Sequence, residues 1–190
     1  MRIGLFFGSF NPVHTGHMII AQHIAEFSEL NQVWLVVSPH NPLKKENSLA
    51  RDYDRLHLVN LAIGDHPHLR SSDVEFNLPK PSYTIDTLIY LKEKYPTHQF
   101  ELILGGDNLK SLHKWKNYEI LLRDYPVHLY HRADSDHNPY EDSGKFYYYD
   151  APLLDISATW IRKLVKDGKS IRYYVPDSVF EYLSHTNIYR

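Results

Sequence analysis

Two histidines three residues apart, His14 and His17, stand where a turn-rich stretch passes into an apolar-periodic one. The ten residues from Gly8 read Gly-Ser-Phe-Asn-Pro-Val-His-Thr-Gly-His, directly after the apolar run 3–7. Met18, Ile19, Ile20, Ile24 and Phe27 then carry a helical period onward. A strand, a loop and a helix in that order present free backbone N–H groups and the positive end of a helix dipole together, an arrangement suited to phosphate. Histidine there can hydrogen-bond a phosphate oxygen as a neutral donor or as a cation. The same His-x-x-His spacing also fits half of a metal site, or two ordinary helix-start residues. The stretch lacks the three-glycine dinucleotide fingerprint and the Gly-Lys-Ser/Thr ending of a P-loop.

A second polar junction lies near the other end of the chain. Ser157 and Thr159 fall where a helix N-terminus is expected, and hydroxyls beside free N–H groups suit phosphate or adenine-edge contacts, or a simple N-cap. Arg162 lies about one turn further on and could grip phosphate with its forked guanidinium.

These residues need a scaffold, and the apolar pattern supplies one. Strands are predicted over 2–8, 32–38, 69–76, 100–105 and 127–132, with a short one near 145–149. Runs 3–7, 33–37 and 101–104 are almost continuously apolar, as in strands covered on both faces of a parallel sheet. Helices are predicted over 16–30, 50–64, 84–95, 118–124, 158–167 and 177–185. Ser82 and Thr84 offer cap oxygens, Pro96 ends the helix they open, Gly168 stops the 158–167 helix, and Pro176-Asp177 opens the last. The β-α alternation predicts an α/β fold: a doubly wound, Rossmann-like, mainly parallel open sheet with helices on both faces. In such a sheet ligands bind beyond the carboxyl ends of the strands, so the loops at 8–16, 39–45 and 105–107 converge on one crevice.

Composition bounds the function. A chain of 190 residues suits one domain, here taken as 1–190 with the segment from 156 onward belonging to it. A formal charge of −2 disfavours nucleic acid as a partner. The absence of cysteine excludes disulfide and thiol chemistry. There is no 18-residue apolar run and no basic leader before an apolar stretch, so the expectation is a cytoplasmic protein without a membrane span. The polar stretch 133–144 reads as a surface loop. The aromatic run Phe146-Tyr147-Tyr148-Tyr149 reads as an edge strand, a core strand or an interface, which leaves a homo-oligomer open.

The stretch Gly8–His17 resembles the [ST]-F-[DN]-P-[VI]-H-x-G-H signature of the nucleotidyltransferase superfamily. Ile156-Ser157-Ala158-Thr159-Trp160-Ile161-Arg162 resembles its second signature, I-S-S-T-x-I-R, with Ala158 in place of the second serine. Pro81-Ser82-Tyr83-Thr84-Ile85-Asp86-Thr87-Leu88 and Gly105-Gly106-Asp107, followed by Trp115, resemble one branch of it, the bacterial nicotinate-mononucleotide adenylyltransferases. The likeness runs in order along nearly the whole chain.

The resemblance implies adenylyl transfer from ATP, carried with Mg²⁺, to nicotinate mononucleotide. It implies His14 and His17 at the triphosphate, with Gly8, Gly16 and the backbone of Ser9 and Phe10 around it. Gly105, Asp107, Ile156, Ser157, Thr159 and Arg162 fall on the ATP side, Asp107 toward the ribose or Mg²⁺. Ser82, Tyr83, Thr84, Trp115 and Lys116 fall on the acceptor side, the indole as a stacking face for pyridine. Residues 39–45 resemble the family's P-P-H-K loop but depart from it: Leu43 replaces the second proline and Lys44 the histidine. Register favours Lys45 at the triphosphate, with Lys44 close behind, and both also fit a solvated surface. No dedicated metal ligands are assigned. Sister readings are an adenylyltransferase for phosphopantetheine or nicotinamide mononucleotide, and a nucleotide sensor without catalysis.

Overall fold

The structure, a computed structural model, describes residues 1–39, 49–130, 138–152 and 154–190. The expected Lys44 and Lys45 contacts, and the ends of the predicted 127–132 strand and 133–144 loop, lie partly or wholly outside those residues.

Six strands form one sheet: β1 (Arg2–Gly8), β2 (Gln32–Val37), β3 (Leu69–Ser72), β4 (Gln99–Gly105), β5 (Val127–Tyr130) and β6 (Phe146–Tyr149). Their order is β3-β2-β1-β4-β5-β6, and every neighbouring pair is parallel. The order reverses between β1 and β4. Chains leaving those two strands turn to opposite sides there and open a crevice at the strands' carboxyl ends. β6 is an edge strand, paired to β5 alone among the described residues.

The period-2 alternation of β1 divides the core. Phe6 packs with residues of α1 (Thr15–Phe27), α2 (Asp52–Ile63), α5 (Ala158–Lys166) and α6 (Asp177–Ser184), among them Ile24, Leu58, Ile161 and Val179. Ile3 and Leu5 pack on the other face with α3 (Thr84–Lys94) and α4 (Tyr118–Asp124) through Leu88, Leu91 and Leu121. The helices after residue 156 thus share a core with the first two. No helix among the described residues is long and apolar enough to cross a membrane.

Element boundaries shift where a side chain competes with the ladder. α1 stops at Phe27, three residues early, because Ser28 turns extended and its hydroxyl takes the Leu30 N–H at 3.2 Å. β3 stops at Ser72 instead of Phe76; Val74–Asn77 winds into a 3-10 turn that sends Glu75 inward. A further 3-10 run, Gly106–Lys114, occupies a stretch with no predicted element. The caps expected from Ser82 and Thr84 do not form: Tyr83 is the N-cap of α3 and no side chain caps it. Gly168 does end α5, at φ +65, as the expected stop requires.

A buried polar cluster sits at the amino-terminal half of the strands, away from the crevice. Burial pushes the Glu101 carboxyl up, but hydrogen bonds from His128 Nε2 (2.8 Å) and Arg2 Nε (2.7 Å) outweigh it and hold it at about 2. With Nε2–H given to Glu101, His128 Nδ1 accepts from the Tyr149 hydroxyl at 2.9 Å. The cluster ties β1, β4, β5 and β6 together and takes no part in the site.

Candidate functional site at the strand order reversal

The crevice is built first by the turn after β1. Phe10 holds a left-handed φ of +43 and is 1% exposed, a costly conformation for a bulky residue, fixed here by packing. Its ring lies against Gly8, where a Cβ would stand 2.8 Å from the ring, so only glycine fits at the end of β1. Phe10 also meets the His17 ring edge to face at 5.0 Å.

His14 is the N-cap of α1 and His17 its third residue, so both rings stand over the helix N-terminus. They stack with centroids 3.6 Å apart. The His14 N–H donates to His17 Nδ1 at 3.2 Å. Accepting there places the His17 proton on Nε2, leaving a donor at the far side of the ring. Gly16 lies against the His14 ring, 3.2 Å from it at the Cβ position.

The second signature arrives beside the first. Arg162 Nη1 donates to the Asn11 carbonyl at 2.7 Å, and Nη2 to Thr159 Oγ1 at 3.2 Å. Two stretches 151 residues apart are thereby joined. Ser157 is the N-cap of α5, its hydroxyl accepting from the Trp160 N–H at 3.2 Å. Ile156 packs on the core and holds that helix start against the sheet.

On the β4 side, Gly105 gives way to Asp107 and Tyr130. A Cβ at Gly105 would stand 2.5 Å from Asp107 Oδ1 and 2.9 Å from the Tyr130 hydroxyl. Asp107 itself is exposed. Trp115 closes the 3-10 run, half-buried against the α3–α4 core. The next residue, Lys116, reaches across to α3: its Nζ lies 2.8 Å from Asp86 Oδ2 and 5.0 Å from the centre of the Tyr83 ring. That bridge brings the segment 82–84 and Trp115 to one wall. Asp86, in the first turn of α3, is thus paired across to Lys116. Ser82 Oγ is buried with no hydrogen-bond partner, and Thr84 opens α3.

Two residues at the site carry no signature. Arg55 is wholly buried on α2 and spends all five donors. Nη1 takes the carbonyls of Ser9 (2.5 Å) and Ser38 (2.8 Å), Nε that of Ala50 (3.1 Å), and Nη2 that of Pro39 (3.5 Å) and Asp52 Oδ1 (2.6 Å). It thus clamps the chain ends leaving β1 and β2 to the start of α2, and Asn11 Oδ1 adds the Ala50 N–H at 3.1 Å. The sequence did carry a signal: Arg55 shares the buried i, i+3, i+4 stripe with Leu58 and Val59. Glu75, the second, was hidden inside a predicted strand.

Comparison with known proteins places these features in a lineage. The cytidylyltransferase-like family profile matches residues 5–164. A Flavobacterium psychrophilum protein named "Probable nicotinate-nucleotide adenylyltransferase" is 51% identical over 192 residues, all of both chains. A Bacteroides fragilis protein of the same name is 41% identical, covering 95% of this chain and 90% of its own. Plasmodium falciparum nicotinic acid mononucleotide adenylyltransferase complexed with NaAD shares the fold at a TM-score of 0.79 and 20% identity, over 99% of this chain and 97% of its own.

Proposed function

The chain belongs to the cytidylyltransferase-like family, among its nicotinate-nucleotide adenylyltransferases, and on that premise we infer that it transfers the adenylyl group of ATP to the phosphate of nicotinate mononucleotide, a step of NAD biosynthesis. The products are nicotinate adenine dinucleotide and pyrophosphate. The observation that carries the site assignment is the convergence of both signatures, the turn after β4 and the wall at residues 82–84 and 115 on one crevice. We take residues 1–190 as a single nucleotidyltransferase domain, in keeping with the core that α1, α2, α5 and α6 share.

An acceptor phosphate oxygen attacks the α-phosphorus of ATP; the new P–O bond forms as the bond to the bridging α–β oxygen breaks. The attacking oxygen is already ionised, so no base is needed. The barrier lies in bringing anions together, aligning them, and neutralising charge on the departing pyrophosphate. His17 Nε2–H and His14, at the positive end of the α1 dipole, are suited to those oxygens, and Arg162, anchored on Asn11, is a cation fixed beside that turn. Ser157 and Thr159 at the start of α5, with the glycine-bounded turns at 8–10 and 105–107, would frame the nucleotide. Mg²⁺, when bound, neutralises the triphosphate; it rides on phosphate oxygens and needs few protein ligands, and the exposed Asp107 carboxylate suits one such contact or the ribose.

On the acceptor wall the Trp115 indole would stack on the pyridine ring, with N–H groups near Lys116 and Thr84 facing the carboxylate. Trp115→Ala is expected to raise the KM for nicotinate mononucleotide by tenfold or more, about the worth of one aromatic stacking contact, and to leave the ATP KM nearly unchanged. Titrating each substrate separately checks this; equal losses, or unfolding, would make Trp115 a core residue alone.

We take Lys45, with Lys44 close behind, as the further cation toward the triphosphate, as the resemblance of residues 39–45 implies. Lys45→Ala should raise the ATP KM or lower kcat with little effect on the acceptor, and Lys44→Ala should do less. A solvated charge would shift binding by no more than about 1 kcal/mol and would lose it in salt. Steady-state kinetics of both variants at two ionic strengths decides between contact and surface.

Pyrophosphate release from ATP, measured with nicotinate mononucleotide, nicotinamide mononucleotide and phosphopantetheine in turn, tests the acceptor. The expected order puts nicotinate mononucleotide first. Preference for phosphopantetheine would move the chain to the sister activity, and release with none of them would leave a nucleotide sensor.

A further inference from the structure

The acceptor wall rests on a buried acid that the reaction does not use. Glu75, on the 3-10 turn Val74–Asn77 after β3, is 2% exposed. Thr87, wholly buried in the first turn of α3, donates its hydroxyl to Glu75 Oε1 at 2.8 Å, with the Tyr83 carbonyl the alternative acceptor at 3.3 Å. Burial pushes the Glu75 carboxyl above the usual range, and the hydroxyls of Ser38 and Thr87 draw it partly back. Among the described residues no Lys, Arg or His forms an ion pair with it. A buried carboxyl surrounded by hydroxyls costs more than an apolar residue of its size, so packing alone does not account for it.

Its neighbours show what it joins. Ser82 and Thr87 flank Tyr83 and Thr84, the segment that faces the acceptor. Ser38 ends the run of β2: its N–H donates to the Gly8 carbonyl at 2.9 Å, and its own carbonyl accepts from Arg55 at 2.8 Å. Glu75 therefore stands between the acceptor segment and the clamped chain ends on the phosphate side. No side chain caps α3 at Tyr83, and the Thr87–Glu75 bond is the buried polar side-chain tie between the first turn of α3 and the turn after β3.

We propose that Glu75 is a positioning residue for the acceptor: through Thr87 it sets the distance of residues 82–84 from the phosphate-binding turns, and so governs recognition of nicotinate mononucleotide and not of ATP. It touches neither substrate. The proposal rests on the adenylyl-transfer reading above, which assigns 82–84 to the acceptor.

Glu75→Gln keeps the shape but turns one of the two carboxyl oxygens into a donor among hydroxyl groups; Thr87→Val keeps Glu75 and removes the donor to it. Both variants are expected to raise the KM for nicotinate mononucleotide by about tenfold or more, about the worth of one buried hydrogen bond left unmet, with the ATP KM within twofold of the parent. If Glu75→Gln fails to fold, Thr87→Val carries the test. Equal change in both KM values, or change in neither, in a folded variant overturns the positioning role. A parent enzyme that releases no pyrophosphate with nicotinate mononucleotide overturns the functional reading, and this proposal with it; normal parent activity with unselective variants overturns this proposal alone.

Discussion

His17→Ala is expected to lower kcat by about 10²–10³-fold, the usual loss when one preorganised donor to developing charge is removed. The ring is fixed from three sides: Phe10 at its edge, His14 stacked at 3.6 Å, and the His14 N–H on Nδ1. Such a donor is oriented before substrate arrives, and the reaction spends nothing to align it. Alanine also deletes the Nδ1 acceptor at the helix start, worth about 1 kcal/mol of stability. His17→Asn separates the two effects, because its amide oxygen can take the place of Nδ1 while no Nε2–H remains. It should recover most of the stability and little of the turnover. A folded His17→Ala enzyme with parental kcat would remove this histidine from the reaction.

Arg55→Lys is expected to destabilise the fold by about 3–5 kcal/mol, the range for breaking a buried charge out of its network. Lysine brings three donors to five acceptors, so carbonyls of Ser9, Ser38, Pro39 or Ala50 are left buried and unmet. Against a typical total of about 5–15 kcal/mol that is a large fraction. The denaturation midpoint measures it. Activity should fall as well, in ATP KM above all, because the lost bonds are the ones that hold the turn after β1 to the end of β2. A variant with parental midpoint and parental ATP KM would show that the clamp is redundant.

Much of this was legible in the residue order. The apolar runs at 3–7, 33–37 and 101–104 read as doubly covered strands, and each lies in a parallel strand of the sheet. The histidine pair and Arg162 were visible because their spacing is local, and the Ser-Tyr-Thr block through its resemblance to a family motif. The strand order was not, since pairing β1 with β4 rather than β3 depends on packing between distant segments. Arg55 and Glu75 escaped for the same reason. Glu75 looks like an ordinary surface charge until its partners arrive; Arg55 sits on the apolar stripe of its helix, but four of its five partners come from chain that is not that helix. The 3-10 turn around Glu75 also defeats a period argument, having neither the alternation of a strand nor the stripe of a long helix. Ser82 and Thr84 show the converse error: good capping chemistry is present, and the helix starts at Thr84 behind Tyr83 as N-cap without it, one serine hydroxyl staying unpartnered.

The most direct measurement is the fate of ATP labelled at its α-phosphorus, incubated with the enzyme and nicotinate mononucleotide. Adenylyl transfer at the crevice between β1 and β4 predicts that the label passes wholly into nicotinate adenine dinucleotide, while label placed at the γ-phosphorus leaves in pyrophosphate. Label from the γ-position appearing on the acceptor, or α-label recovered only in ADP, would mean phosphoryl transfer at the wrong phosphorus and would contradict the account.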